Sequence, residues 1–148
     1  MQMRRGHKTN SNTRGKKNDR AALKMFLQQY HIALTQNRII DSRREKLSAQ
    51  IPSAVDIAMR IEQQQQQLAR ILNDIMDVID ILPPSSLGRT VIEMRHIDCM
   101  SWTKIADSLY MSRSNAFNCY ESALDDLLNH KSVNEKIKKI SRKNPRKH

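Results

Sequence analysis

Apolar side chains recur at alternating steps of three and four residues along two long stretches of the chain. The first stretch runs from about Asp19 to Ala49, and the second runs from Ala54 to Leu82. Such steps place side chains on one face of a helix. Pro52 lies between the stretches, where it interrupts the helical pattern. The pattern predicts two helices of about 45 Å each, and the short link between them favours an antiparallel hairpin.

The predicted contact faces of this hairpin are mostly apolar, with three polar interruptions. Asn37 and Arg44 interrupt the first face, and Gln65 interrupts the second. Polar residues in such positions can fix register or oligomeric state in coiled coils. The alternative is that they lie at a half-wet edge of the pair, so a homo-oligomer through the hairpin stays open. The two faces comprise Leu23, Phe26, Tyr30, Ala33, Asn37, Ile40, Arg44, Leu47 and Ile51, and then Ala54, Ala58, Ile61, Gln65, Leu68, Leu72, Ile75, Ile79 and Leu82.

Three shorter helical patterns follow, and the first covers about residues 86–97. Ser101 and Ser112 are of the residue types that cap helix N-termini, and each precedes an apolar stripe with helical spacing. Only Tyr110 and Met111 lie between the last two patterns, a link typical of a helix-turn-helix. The chain is therefore predicted to be all-α. The predicted core positions are Leu87, Val91, Ile92, Met94, Ile97, Trp102, Ile105, Ala106, Leu109, Ala116, Cys119, Ala123, Leu124 and Leu127.

The charge of the chain favours a polyanionic partner. Its 148 residues carry a net charge of +11, and most of this charge lies at the ends. Residues 1–18 hold six Lys or Arg and no acid, and residues 131–148 hold eight against Glu135 alone. The ends thus sum to +13 and residues 19–130 to −2. We predict a disordered basic arm at 1–18 and a flexible basic tail at 131–148, both acting as electrostatic anchors on phosphates.

Residues 20–128 resemble a known family, most clearly in two segments. These are Arg89–Ile97 (RTVIEMRHI) and Ser101–Ala106 (SWTKIA). The three-helix unit that contains them resembles region 4 of bacterial primary sigma factors. Within that group, the chain is similar to phage and prophage late-gene regulators of the RinA and ArpU type, which join a long helical hairpin to a sigma-like C-terminal helix-turn-helix. Members usually have Gly where this chain has Cys99 and Tyr110, and the turn generally needs a residue with positive φ.

This resemblance implies a helical hairpin at 19–82, followed by a helix-turn-helix DNA-binding domain at 83–130. The function it implies is a sequence-specific regulator that activates phage or mobile-element genes together with host RNA polymerase. Two other functions stay open. One is a DNA-packaging protein of the terminase small-subunit kind. The other is an adaptor whose hairpin binds polymerase while its helix-turn-helix domain, the head, reads no bases.

The resemblance also assigns residues to DNA contacts. In sigma-like proteins the start of the last helix enters the major groove, which gives base-reading roles to Arg113, Ser114, Asn115, Phe117 and Asn118. Side-chain chemistry fits, because Arg pairs with guanine, Asn pairs with adenine and an exposed aromatic ring packs on a thymine methyl. A contact within the protein would equally account for an outward Phe117. Phosphate contacts fall to Thr103, Lys104 and Ser112.

Acidic residues outnumber basic ones in the predicted head. Residues 83–128 hold six acids against four bases. Glu121, Asp125 and Asp126 either form a solvated helix face or contact a protein such as RNA polymerase.

Other functional classes find no support in the sequence. It has no Gly-rich phosphate loop, and His96 and Cys99 stand three apart without a second pair at metal-ligand spacing, so we expect neither a metal, nor a cofactor, nor an enzyme. Cys99 and Cys119 are interpreted as reduced thiols on or beside the core. No apolar run approaches the roughly 18 residues of a membrane helix, and the first residues do not resemble a secretory signal. We therefore expect a location in the cytoplasm of a bacterial host cell, away from membranes.

Overall fold

The computed structural model of the chain describes the backbone of residues 2–50 and 55–143 and the side chains of residues 17–50 and 55–139. This part of the chain is helical throughout apart from short connections, which confirms the all-α prediction. No helix in it is both long and apolar enough to cross a membrane. The elements are α1 (Gln2–Gln50), α2 (Val55–Ile79), α3 (Leu87–Ile92), a π-helical turn (Glu93–Ile97), α4 (Trp102–Ser108), α5 (Arg113–Leu128) and α6 (Lys131–Lys143).

Helices α1 and α2 pack against each other with the later part of α1 beside the earlier part of α2. Gln65 of α2, for example, donates a hydrogen bond to Asp41 of α1 over 2.6 Å. Along the predicted faces of α1 and α2, burial decreases with distance from α3 to α6. Ala33 and Leu68 are buried, whereas Ala58 is exposed. Asn37, Arg44 and Gln65 are all half-buried, in agreement with the alternative that they lie at a partly solvated edge of the helix pair. Ile51, Pro52 and Ala54 lie outside the described residues.

A single hydrophobic core joins α1, the end of α2 and the C-terminal unit, by which we mean α3 to α6 with the π-helical turn. Leu23 and Leu27 of α1 are fully buried in it. They share the core with Ile75 and Ile79 of α2 and with residues from every helix of the C-terminal unit. The hairpin and the helix-turn-helix domain, which we predicted to meet between residues 82 and 83, therefore share one continuous core. From the C-terminal unit the core takes Val91, Ile92, Ile105, Ala106, Ala116, Tyr120, Ala123, Leu124, Leu127, Val133 and Ile137.

The predicted helix starts of α4 and α5 are confirmed. The Ser101 hydroxyl accepts a hydrogen bond from the backbone N–H of Lys104 over 3.2 Å, and Ser112 accepts from Asn115 over 3.0 Å. Each bond satisfies a donor that the first turn of a helix otherwise leaves without a partner. Local sequence thus fixes where each helix begins, and four residues connect the end of α4 to the start of α5.

Several core predictions need correction. Leu87 is 44% exposed because it is the first residue of α3, directly after its cap, where the helix has not yet turned toward the core. Cys99 is exposed in the connection before α4 and not on the core face. Tyr120, which we did not predict as core, is buried.

The predictions for both termini also need correction. Residues 131–143 form α6, a helix and not a flexible tail, because Val133 and Ile137 lie one turn apart and both enter the core. Likewise α1 begins at Gln2, so the backbone of residues 2–18, which we predicted as a disordered arm, is helical. No proline interrupts residues 1–18. The side chains of residues 1–16 and 140–148 lie outside the described part.

Two residues other than glycine have left-handed backbone conformations among the described residues. They are Cys99, with φ of 56°, and Tyr110, with φ of 55°. A left-handed conformation costs a residue with a Cβ atom about 1 kcal/mol or more.

Replacing Tyr110 by Gly is expected to raise the free energy of unfolding by roughly 0.5 to 1 kcal/mol. The Tyr110 side chain is 96% exposed, so its removal loses almost no packing, while the backbone strain is relieved. Urea unfolding of the Gly variant against wild type measures the gain. Tyr110→Ala is the control, since it removes the ring but keeps the Cβ atom. Equal stabilities of the two variants would show that strain at this turn has no net cost.

Candidate nucleic-acid interface

The start of α5 presents a polar surface to solvent. Arg113, Ser114, Asn115 and Asn118 are all exposed, as predicted for base-reading positions. The first turn of α5 contains no acid. Hydrogen-bond donors therefore line this surface without a carboxylate among them, which suits contact with the edges of base pairs.

Phe117 has partners within the protein. Its ring meets the Trp102 ring edge-on at a centroid distance of 5.2 Å, and the Lys24 ammonium lies 5.2 Å from its centre. The local contact that we considered as the alternative is therefore present. The side chain nevertheless remains 38% exposed, which leaves part of the ring accessible beside Ser114 and Asn118.

The residues assigned to phosphates also lie at the surface. Thr103 and Lys104 are exposed in the first turn of α4, and Ser112 is exposed at the cap of α5. Because the Ser112 oxygen accepts from Asn115, its hydroxyl proton stays directed elsewhere and can be donated. All three side chains are thus open to solvent, Thr103 and Lys104 at the start of α4 and Ser112 at the start of α5.

The acids of α5 bind α1, which neither sequence interpretation foresaw. Arg20 donates two hydrogen bonds of 2.6 Å to the carboxylate of Asp125, and Lys24 lies 3.3 Å from Glu121. Paired, two-point contacts of this kind are the stronger class of ion pair. Glu121 and Asp125 therefore hold α1 on α5 and do not form a solvated face, whereas Asp126 is exposed.

A buried polar pair, His96 and Tyr120, lies next to the rings of Trp102 and Phe117. His96 is 5% exposed, and its Nε2 atom lies 2.7 Å from the Tyr120 hydroxyl. Burial, aided by the positive charges of Arg95 and Lys24, lowers the pKa of His96 to about 4. Burial also raises the pKa of Tyr120 above its ordinary value. Both groups are therefore neutral, and one hydrogen bond joins Nε2 to the hydroxyl, with its direction set by the tautomer of His96.

A second connection between α1 and the C-terminal unit runs through Cys99. Its Sγ atom lies 3.2 Å from Nδ1 of His31 in α1. The two residues border an open cavity of about 390 Å³ between α1 and the π-helical turn, lined by Gln28, His31, Ile32, Arg95, His96 and Cys99. Sequence reasoning missed this pair, because 68 positions separate the two residues and no spacing along the chain relates one to the other.

No group of three or more potential metal ligands lies together in the described part of the chain. Comparison with protein-family models, with curated proteins and with solved structures found no match.

Proposed function

We propose that the protein is a sequence-specific DNA-binding regulator of transcription. The observation that carries this proposal is the pair α4 and α5, each capped by a serine, with an exposed and acid-free surface at the start of the second helix. We interpret the pair as a helix-turn-helix whose second helix enters the major groove. Arg113, Ser114, Asn115, Phe117 and Asn118 would then read bases, and Thr103, Lys104 and Ser112 would bind phosphates.

The likeness to regulators of the RinA and ArpU type is part of the proposal. Its best support is backbone geometry, since Cys99 and Tyr110 occupy the left-handed positions at which those proteins usually carry glycine. In this interpretation α1 and α2 form the antiparallel hairpin, and α3 to α5 form the sigma-like three-helix head. Activation of phage or mobile-element genes with host RNA polymerase follows from the likeness, and pairing of two copies through the hairpin stays a prediction.

Basic residues of α6 supply a sequence-independent contribution to binding. Lys131, Lys138 and Lys139 are exposed on this helix, with Glu135 as its one acid in the described residues. Lysines attract the phosphate backbone of any duplex and steer association. The anchoring that we expected from a flexible tail is thus assigned to an ordered helix.

Arg113→Ala is expected to weaken binding to the recognised duplex by roughly 1 to 3 kcal/mol, while binding to a scrambled duplex changes little. A base-reading arginine contributes only where its base is present, whereas a phosphate contact contributes everywhere. The measurement is titration of both duplexes at one salt concentration, with the recognised sequence taken from in vitro selection. Arg60→Ala is the control, because Arg60 is an exposed arginine on α2.

Equal losses on the two duplexes would make Arg113 a phosphate contact and remove it from base reading. A promoter–reporter assay then separates regulation from DNA packaging, because a packaging protein does not raise transcription.

A further inference from the structure

We infer that the cavity between α1 and the π-helical turn binds a phosphate of the DNA backbone, so that the long first helix takes part directly in DNA binding. This inference rests on the proposed function. It adds a site that the helix-turn-helix alone does not provide.

The chemistry of the cavity wall fits a phosphate. Its wall carries several hydrogen-bond donors, among them the Gln28 amide, the His31 imidazole and the Arg95 guanidinium. One Arg95 nitrogen donates to the carbonyl of Met100 over 3.0 Å, which restrains the guanidinium and leaves further N–H groups. No carboxylate lines the cavity. A planar guanidinium beside further N–H donors is a side-chain set that recognises phosphate oxygens.

Cys99 gives the imidazole its orientation. The contact of 3.2 Å between Cys99 Sγ and His31 Nδ1 occupies that ring nitrogen and leaves Nε2 as the nitrogen that a phosphate would meet, in the tautomer that carries its proton there. A glycine at position 99 would relieve the left-handed backbone but would leave His31 without this partner. Strain of this kind persists where the side chain has a use. The cysteine is therefore explained as a positioning residue for His31.

Arg95, which lines the cavity, contacts the helix that carries two of the residues already assigned to phosphates. Arg95 stacks on the ring of Trp102 at 5.0 Å, and Trp102 is followed at once by Thr103 and Lys104. A DNA strand whose phosphate meets Thr103 and Lys104 would continue past Arg95, since neighbouring phosphates of one strand follow at short intervals. His31 and Gln28 then meet the next part of the same backbone from the side of α1.

The test uses the full-length protein and a labelled duplex of scrambled sequence, because a phosphate contact does not depend on base sequence. His31→Ala, which removes the donor, is expected to weaken binding about threefold, and His31→Glu, which repels phosphate, about tenfold. Gln63→Ala and Gln63→Glu are the controls, since Gln63 is an exposed polar residue on α2 that lines no described cavity. Thermal melting of each variant confirms that the fold is retained, as His31 is itself exposed.

Losses at His31 that exceed those at Gln63 in both substitutions support the site. If the His31 and Gln63 variants bind alike, or if His31→Glu weakens binding while His31→Ala does not, the cavity is not a phosphate site, although the proposed function still holds. If wild type itself fails to bind duplex DNA, the proposed function falls, and this inference falls with it.

Discussion

Replacing Leu27 by Asp is expected to unfold the C-terminal unit as well as α1 and α2, and to lower the free energy of unfolding by roughly 5 kcal/mol. Leu27 is fully buried in α1, within the core that also contains Ile105 and Leu124. An aspartate at this position loses the burial of the leucine side chain, about 2 kcal/mol or more, and places a carboxylate where neither water nor a donor reaches it. Because the core is continuous, damage in α1 spreads to helices far along the chain.

Trp102 makes this prediction measurable. It is the only tryptophan of the sequence and belongs to α4, so its fluorescence reports on the C-terminal unit. Denaturant unfolding followed by that fluorescence should shift in parallel with the loss of helical circular dichroism. Met25→Asp is the matched control, because Met25 lies on the same helix and is 51% exposed, and its effect should stay within about 0.5 kcal/mol. An unchanged Trp102 transition in Leu27→Asp would show that the C-terminal unit folds on its own.

Acid is expected to destabilise the protein through His96. The pKa of this group is about 4 in the folded state, because burial and the nearby charges of Arg95 and Lys24 disfavour its protonated form, against 6.5 as the ordinary value. Between these two pH values the unfolded chain binds a proton that the folded protein does not. Stability is therefore fully present above pH 6.5 and is lost as the pH falls, by about 2 kcal/mol at pH 5 and about 3 kcal/mol at pH 4.

The comparison of two histidine variants isolates this effect from the titration of carboxylates. His96→Gln keeps a hydrogen-bonding side chain beside Tyr120 but does not titrate, so the fall in stability between pH 7.5 and pH 5 should shrink by about 2 kcal/mol. His130→Gln, at an exposed position, should retain the wild-type dependence. Denaturant midpoints at several pH values provide the measurement. A dependence in His96→Gln as steep as in wild type would assign the acid sensitivity to other groups.

Local features of the fold could be predicted from the sequence because they depend on neighbouring residues. The caps Ser101 and Ser112 bond to backbone groups three positions away, and the apolar stripes of α4 and α5 follow the helical period. The exposure of Arg113 and Asn115 follows directly from those stripes. Tyr120 lies four positions after Ala116 and four before Leu124, but it was missed because its hydroxyl disfavours a core position unless a partner is present, and that partner, His96, lies on another element.

Contacts between distant parts of the chain could not be predicted in the same way. Arg20 and Asp125 are 105 positions apart, and nothing in the spacing of either residue points to the other. The long-range pairing of α1 with α5 also changed the interpretation of Glu121, which looked like part of an exposed acidic face. Helix α6 was missed for another reason: two apolar residues, Val133 and Ile137, suffice to bury one face of a helix whose composition is otherwise that of a charged tail.

Protection mapping on the genome that encodes the protein tests the central claim most directly. Wild type, without RNA polymerase, is expected to protect a discrete sequence, and Arg113→Ala is expected to lose that protection at the same concentration while Arg60→Ala keeps it. Added polymerase should extend the protected region and leave its position unchanged. Protection that appears only with polymerase, or that is spread evenly over the genome, would contradict base reading by the start of α5.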